Sequence, residues 1–288
     1  MIENNNKKFG LRDNAVWISV LTFILIVLSE FMPMGTVNGT LFSSGYTDTF
    51  NLYFPFWGMW TVFIIAIVVV KKNRYILDKI KYNSSGNTFR TLIIGFLIGF
   101  LMNGTCALTA YLHGDIKLRF DRFEFFPILL MFIVVFIQSS AEELACRGFM
   151  YQRIANKYQH PWAPTIITAI FFMALHLGND HISLMPILDL FVSGLVFGAM
   201  IRYFDSLWMA MGCHTTWNFT QNILLGLPNS GSISSYSIFV LDKNSATSSF
   251  AYDTGFGLEG SIMSIVVQVI SLVLMVYVYH KYLRKEQH

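Results

Sequence analysis

Three groups of polar residues lie in parts of the chain that are otherwise strongly apolar. The first is Glu142, Glu143 and Arg147, which follow an uncharged run from residue 125 to residue 137. Ionisable side chains in membrane helices are costly, so they face a protein interior or a water-filled cavity and mark a functional site. Burial raises the pKa of a carboxylate toward neutral pH, where it is an effective general base.

Helical geometry separates the two glutamates. Glu143 and Arg147 are four residues apart and share one helix face, which suits an ion pair. Glu142 points about 100° away from Glu143 on a helix with 3.6 residues per turn. We therefore predict that Glu143 and Arg147 neutralise each other, whereas Glu142 stays free to take a proton. A charge cluster that only marks a helix end is the alternative interpretation.

The other two groups repeat the four-residue step. Phe172 and His176 share a face of one apolar segment, and His214 and Asn218 share a face of another. A carboxylate, two imidazoles and an amide that converge between three helices would form a hydrolytic site. In such a site a base activates water, and neutral or positive donors stabilise the oxyanion. A packed histidine and an interhelical hydrogen bond are the structural alternatives.

The segments that must position these residues are long enough to cross a membrane. Of the 288 residues, 54% are hydrophobic and 13% are charged, against roughly 25% charged in an ordinary soluble domain. A span needs about 20 apolar residues. The segments that qualify are residues 15–34, 51–70, 91–112, 125–147, 162–178, 183–201, 207–225 and 260–281. We therefore predict an all-α, polytopic membrane bundle of eight helices, forming a single domain over residues 1–288.

The distribution of Lys and Arg predicts the orientation of this bundle. With both termini in the cytoplasm, fifteen cations lie in inner segments and four in outer ones, with Arg147 left aside. Cytoplasmic loops carry the excess of cations in membrane proteins, so we predict cytoplasmic termini. Residues 228–260 then form a polar outer loop, long enough for a lid or some ordered structure. The outer cations are Lys117, Arg119, Arg122 and Lys243, and the inner ones include Lys7, Lys8, Arg12, Arg284 and Lys285.

The remaining motifs indicate helix packing, and several common functional motifs are absent from the sequence. Gly95 with Gly99, and Gly194 with Gly198, form GxxxG pairs that predict close helix packing. The three cysteines fall in predicted spans and do not indicate disulfides. The sequence has no HExxH, GxSxG or GxxxxGK[ST] motif. Its short basic loops lack interleaved aromatic residues, so nucleic acid is not an expected partner.

In their order along the chain, the three polar motifs resemble those of the CPBP family of intramembrane proteases. This family includes the CAAX prenyl endopeptidases and bacterial Abi proteins linked to bacteriocin self-immunity. The similar core runs from about residue 126 to residue 225. The stretches WNFTQNILLGLPNSG and TGFGLEGS resemble a bacterial Abi subgroup and extend a weaker likeness to about residue 261.

The resemblance implies a membrane endopeptidase and a role for each motif residue. Glu142 would activate the attacking water with help from His176, and His214 and Asn218 would stabilise the oxyanion. The supporting residues would be Glu143, Arg147 and Phe172. The family has been described both as metal-dependent and as glutamate-dependent. In the first version Glu142, His176 and His214 would bind zinc and leave an open position; we favour the metal-free mechanism, without a cofactor.

The expected substrate is a membrane-associated peptide or protein, and the expected location is a bacterial cytoplasmic membrane, in contact with lipid. A processed bacteriocin, a peptide pheromone or a membrane protein fits the bacterial character of the chain better than a prenylated peptide. The alternatives are a non-catalytic membrane protein that binds a peptide for immunity or as a chaperone, and a transporter with a Glu and His relay. No inverted repeat supports the transporter.

The predicted span boundaries leave one conflict. Glu142 lies about 26 Å along a helix that starts at residue 125, near the cytoplasmic face. His176 lies about 22 Å from that face. Straight helices with these starts do not bring the two side chains together. Either the fourth helix continues well beyond Arg147, or the fifth begins below the membrane surface.

Overall fold

The computed structural model describes residues 14–32, 37 and 39–283, which form an α-helical bundle. The helices are α1 (Ala15–Glu30), α2 (Ser44–Tyr53), α3 (Trp57–Val69), α4 (Phe89–His113), α5 (Phe125–Glu143), α6 (Tyr151–Ala155), α7 (Ala163–Leu175), α8 (Leu184–Phe204), α9 (Leu207–Asn218) and α10 (Ile262–Val278). Three π-helical turns extend α5, α9 and α10 and cover Leu144–Met150, Phe219–Leu224 and Tyr279–Leu283. Turns of 3-10 helix cover Phe54–Phe56, Lys71–Lys79 and Leu258–Gly260. Two short antiparallel strands, β1 (Leu118–Phe120) and β2 (Phe239–Leu241), pair at one end of the bundle.

Five helical segments in the described ranges are long and apolar enough to cross a membrane. They are Ser44–Val69, Phe89–His113, Phe125–Ala155, Leu184–Phe204 and Ile262–Leu283. Helices α1 and α7 are apolar but shorter. The predicted helical membrane bundle is thus confirmed, whereas the count of eight spans and the orientation of the termini stay predictions. Residues 33–34 of the first predicted span, and the cations at positions 7, 8, 12, 284 and 285, lie outside the described residues.

Helix α9 lies inside the bundle, where protein rather than lipid surrounds it. Every residue from Leu207 to Asn218 except Trp208 is buried, so polar side chains on this helix can find protein partners. A Cβ atom at Gly95 or Gly99 of α4 would lie 2.2 Å or 2.1 Å from a backbone carbonyl oxygen of α9. A Cβ atom at Gly194 or Gly198 of α8 would likewise lie 2.7 Å from an atom of α7. Both GxxxG pairs therefore serve close helix packing, as predicted.

The helix that carries the two glutamates is longer than predicted. Its expected end at residue 147 is wrong, because the π-helical turn Leu144–Met150 continues the backbone into α6 and the helix ends at Ala155. All seven residues of that turn are buried, so this part of the helix lies inside the bundle. Glu142 is about 20 Å from the Ala155 end at 1.5 Å per residue. Continuation beyond Arg147 therefore removes the depth conflict, while α7 begins close to its predicted start.

The segment 228–260 has a packed structure of its own. Its strand β2 pairs with β1, and the side chains of Tyr252, Phe256 and Leu258 are fully buried. The amide of Asn179, in the turn after α7, donates to the carbonyl oxygen of Ser230 at 2.9 Å. This segment therefore forms a fixed wall next to the end of α7.

Candidate active site

A buried ion pair lies behind the site. Arg147 Nη1 is 3.0 Å from Glu143 Oε1, and both side chains are fully buried. Arg147 Nη2 also donates to the carbonyl oxygen of Gly194 on α8 at 3.1 Å. The guanidinium lies over the rings of Phe172 and Phe197, 4.7 Å and 5.3 Å from their centroids. The pair therefore links α5 to α7 and α8, and its two buried charges neutralise each other.

The same carboxylate also holds His214. His214 Nδ1 lies 3.1 Å from Glu143 Oε1, and because a carboxylate accepts, this nitrogen carries the proton. The imidazole stacks on Phe197 at 5.0 Å and meets the edge of Phe172 at 5.8 Å. Glu143 therefore orients His214 as well as pairing with Arg147. Sequence reasoning missed this contact, because the four-residue spacing assigned Glu143 to Arg147 alone.

Glu142 has one bonded and one open carboxylate oxygen. Gln138 Nε2 donates to Glu142 Oε1 at 2.6 Å. Glu142 Oε2 is buried and has no hydrogen-bond partner among the described residues. His214 Nε2 is 3.8 Å from this open oxygen, too far for a direct hydrogen bond. The two atoms instead flank a position where a third polar group can bond to both.

His176 follows the last residue of α7 and faces the same space. His176 Nδ1 lies 2.8 Å from the carbonyl oxygen of Phe172. A carbonyl only accepts, so Nδ1 donates and Nε2 keeps its lone pair in the neutral ring. No hydrogen bond joins His176 to Glu142 within the described part of the chain. The two residues share a cavity rather than a contact.

Asn218 reaches Glu142 through an intervening amide. Asn218 Nδ2 donates to Gln138 Oε1 at 3.2 Å and to Ser139 Oγ at 3.1 Å. Since Gln138 also donates to Glu142, its side chain connects the α9 amide to the α5 carboxylate. Gln138 and Ser139 are polar residues directly before the glutamates, and that position in an apolar run was the available sequence signal.

The candidate residues line a single cavity of about 720 Å³. Glu142, His176, His214 and Asn218 all contribute to its wall, together with Phe172. Glu143 and Arg147 are not among the lining residues and support the wall from behind. The wall includes apolar residues from the α1–α3 part of the chain, Ile26, Leu52, Phe56 and Met59, which are named the apolar end. It also includes polar residues of the 228–260 segment, Asn229, Ser230 and Glu259, which are named the polar end. The structure therefore brings the predicted catalytic residues together beside a space suited to an amphipathic chain.

The donor set for zinc can be tested against this geometry. A catalytic zinc needs three protein ligands at about 2.0–2.3 Å. Among residues 14–32, 37 and 39–283, no three His, Cys, Asp or Glu side chains are grouped as metal ligands. His214 Nδ1 donates to Glu143 and leaves Nε2 open, and histidines that bind a metal through one nitrogen commonly make such a bond through the other. The side chains of Glu142, His176 and His214 are not drawn together as a ligand set here, and the metal-free mechanism stays a prediction.

Residues 124–220 match the family model described as Type II CAAX prenyl endopeptidase Rce1-like. The matched stretch is about a third of the chain and contains all three motifs, from Glu142 to Asn218. No curated protein matches the chain. The match confirms the resemblance that the motifs predicted. Together with the apolar helices, it supports an integral membrane protein that is similar over this stretch to CAAX-type endopeptidases.

Proposed function

We propose that this chain is an intramembrane endopeptidase that hydrolyses a peptide bond with a water molecule activated by Glu142. The observation that carries the proposal is the open carboxylate oxygen of Glu142. It is buried, unpaired and 3.8 Å from His214 Nε2 in the wall of the cavity. A buried acceptor without a partner is costly in a structural role. It is suited to a base that bonds to water and then takes its proton.

In this mechanism water binds to Glu142 Oε2 and to the unshared pair of His176 Nε2. Its oxygen attacks the carbonyl carbon of the substrate while Glu142 takes the proton. Glu142 then returns the proton to the departing amine nitrogen, so the carboxylate is regenerated as the peptide bond breaks. Base and acid catalysis by one positioned group contributes about 10²–10⁴-fold to the rate.

The oxyanion of the intermediate would be stabilised by His214 and Asn218. His214 Nδ1 donates to Glu143, so donation from Nε2 as well requires the positively charged imidazolium. The Glu143 carboxylate, 3.1 Å away, stabilises that charge. Asn218 Nδ2 bonds to Gln138 and Ser139, and it would exchange one of these bonds for the oxyanion. Removing one such donor typically lowers kcat by about 10²–10³-fold.

The lining of the cavity supports a peptide substrate that has apolar residues. The apolar end accommodates aliphatic or aromatic side chains, and the polar end accommodates an extended peptide backbone. We favour a bacterial membrane protein or a peptide that is processed at the cytoplasmic membrane, such as a bacteriocin or a peptide pheromone. Maturation or self-immunity would then be the biological role. Eight spans with cytoplasmic termini remain part of the proposal.

The test is a cleavage assay with purified protein in proteoliposomes, combined with comparative peptidomics of cells that carry wild type or Glu142→Gln. We expect Glu142→Gln to lower cleavage by about 10³-fold, and peptides absent from the variant cells to identify substrates. Glu30→Gln is the matched control, because Glu30 lines the same cavity but is exposed. Full activity of Glu142→Gln would exclude the proposed base. Immunity that survives loss of Glu142, His176 and His214 would favour the non-catalytic binding protein.

A further inference from the structure

The cavity contains a second buried carboxylate that the proposed chemistry does not use. Glu259, in the turn Leu258–Gly260 before α10, is only 5% exposed. It lines the same cavity as Glu142 and His176 but at the polar end. Carboxylates are rarely buried without a paired cation or a function. The partners of Glu259 therefore decide what it does.

Only neutral groups hydrogen-bond to this carboxylate. Trp217 Nε1 donates to Glu259 Oε1 at 2.9 Å. The backbone N–H and the hydroxyl of Ser230 donate to Glu259 Oε2 at 2.6 Å and 3.0 Å. Within the described ranges, neither Lys nor Arg forms an ion pair with Glu259. The hydrogen bonds orient the carboxylate without adding a positive charge, and the basic group that interacts with it electrostatically is the imidazole of His176.

The surrounding backbone fixes the position of that charge. Gly257 has φ +98°, and a Cβ atom there would lie 2.0 Å from the carbonyl oxygen of Pro228. Leu258 is fully buried, and Trp217 belongs to α9, one residue before Asn218. Glu259 is thus locked between the 228–260 segment and the helix of the candidate oxyanion residues. A carboxylate held in this manner is preorganised for a partner.

Carboxylates outnumber basic side chains in the cavity wall, where the basic groups are the imidazoles of His176 and His214. The described lining residues include the carboxylates of Glu30, Glu142, Asp180 and Glu259, and neither Lys nor Arg. Glu30 and Asp180 are exposed, whereas burial of Glu259 in a low-dielectric wall strengthens its attraction for a cation. The indole of Trp217 also lines the cavity, and an aromatic face adds to the binding of a cation.

We propose that Glu259 binds a positively charged side chain of the substrate, a lysine or an arginine, while the apolar end of the cavity holds its apolar residues. The proposal rests on the endopeptidase function and specifies its substrate as a peptide that combines apolar and basic residues. A cation that enters the polar end relieves the cost of burying the Glu259 charge, so a neutral side chain of the same length is disfavoured. Glu259 is then a specificity-determining residue, separate from the base Glu142.

The test uses apolar decapeptides in which a single lysine is moved along the sequence, each paired with a twin that has norleucine at that position. Norleucine keeps the aliphatic stem and removes the charge. Cleavage is measured in proteoliposomes with wild type, Glu259→Gln and Glu259→Asp. We expect wild type to cleave the best lysine peptide with a kcat/KM about tenfold or more above its norleucine twin. Glu259→Gln removes this preference, so that the KM values of the two twins agree within about twofold. Glu259→Asp, which keeps the charge, retains part of the preference.

A purely structural anchor gives a different result. If Glu259 only fastens the 228–260 segment to α9, Glu259→Gln lowers the cleavage of both twins by the same factor, and this overturns the proposal. Equal cleavage of the twins by wild type overturns it as well. A binding measurement with inactive protein tests the subsite without catalysis. Lysine peptides should bind to Glu142→Gln about tenfold more tightly than their norleucine twins. The double variant Glu142→Gln, Glu259→Gln should bind both twins equally. If wild type does not cleave the peptides but the variant still prefers the lysine peptide in binding, the endopeptidase function is refuted and the subsite for a cation is not. If the binding preference is absent, the subsite is refuted.

Discussion

Glu143 Oε1 lies 3.1 Å from Nδ1 of His214, although the two residues are 71 positions apart in the chain. Arg147 Nη1 donates to the same oxygen at 3.0 Å. One buried carboxylate therefore neutralises an arginine on its own helix and orients an imidazole on α9. The open oxygen of the neighbouring Glu142 then faces His214 Nε2 across 3.8 Å. This geometry fits the proposed division of the adjacent glutamates into a structural and a reactive carboxylate.

The Glu143→Gln variant should be strongly destabilised. The substitution removes the charge that neutralises Arg147 and leaves a fully buried guanidinium with Phe172, Phe197 and one carbonyl group as neighbours. Breaking a buried ion pair by removing one partner typically costs about 3–5 kcal/mol. Thermal and denaturant unfolding of the purified protein in detergent measures the loss.

The exposed ion pair between Lys79 and Asp205 provides the control. Its atoms are 2.8 Å apart, but the side chains are 32% and 50% exposed, and exposed pairs contribute about 0–1 kcal/mol. Asn tolerates the positive φ of Asp205, +49°, so Asp205→Asn removes the charge without backbone strain. Equal destabilisation by Glu143→Gln and Asp205→Asn would contradict the structural role of Glu143.

Removal of metal should leave cleavage unchanged. The proposed mechanism uses Glu142 and the two histidines without a metal ion, and these side chains are not grouped as ligands in the described structure. We expect purified active protein to contain well below one zinc per chain by elemental analysis, and a chelator to leave the cleavage rate unchanged. Activity that disappears with the chelator and returns with zinc would show that the three side chains rearrange around a metal ion.

The contacts that the sequence predicted are those set by local spacing. Four-residue steps on a helix placed Glu143 beside Arg147 and His214 beside Asn218, because helical geometry alone determines these faces. The contacts from Glu143 to His214 and from Trp217 to Glu259 join distant segments, so they depend on how the helices pack. The sequence also did not predict the π-helical turn Leu144–Met150, because no pattern of residue types distinguishes its wider backbone from an α-helix. Apolar content marked α9 as a span, but content does not distinguish a helix that protein surrounds from one that lipid surrounds.

Binding of a lysine peptide should strengthen with rising pH. Burial raises the pKa of Glu259, and hydrogen bonds from Ser230 and Trp217 oppose that rise. Only the anion pairs with a cation, so affinity is lost as the pH falls through this pKa and is restored above it. Lysine, with a pKa of about 10.4, stays charged throughout. KM for the lysine peptide should therefore decrease from about pH 5 to about pH 8, above the ordinary glutamate pKa of about 4.3.

Two comparisons assign this pH dependence to Glu259. Tyr53 on α2, Asp189 on α8 and His176 after α7 also interact electrostatically with Glu259, so their influence has to be separated from that of Glu259. The ratio of KM values for the lysine and norleucine twins cancels effects on catalysis that both peptides share. This ratio should vary with pH in wild type and be flat in Glu259→Gln. A slope that persists in Glu259→Gln would assign the titration to another group.

Close packing of α4 on α9 should be required for activity. Alanine substitutions at two glycines of α4 distinguish the effect of this packing from the effect of helix propensity. A Cβ atom at Gly99 would lie 2.1 Å from the carbonyl oxygen of Cys213, next to His214, whereas a Cβ atom at Gly104 meets no atom within 4 Å. Gly99→Ala should push the helices apart, lower stability by about 1–3 kcal/mol and, by displacing His214, lower kcat by up to about 10²-fold. Gly104→Ala should leave kcat unchanged and raise stability by about 0.5–1 kcal/mol, because alanine favours the helix. Unfolding in detergent and cleavage rates measure both effects, and equal behaviour of the two variants would show that the α4–α9 contact does not position His214.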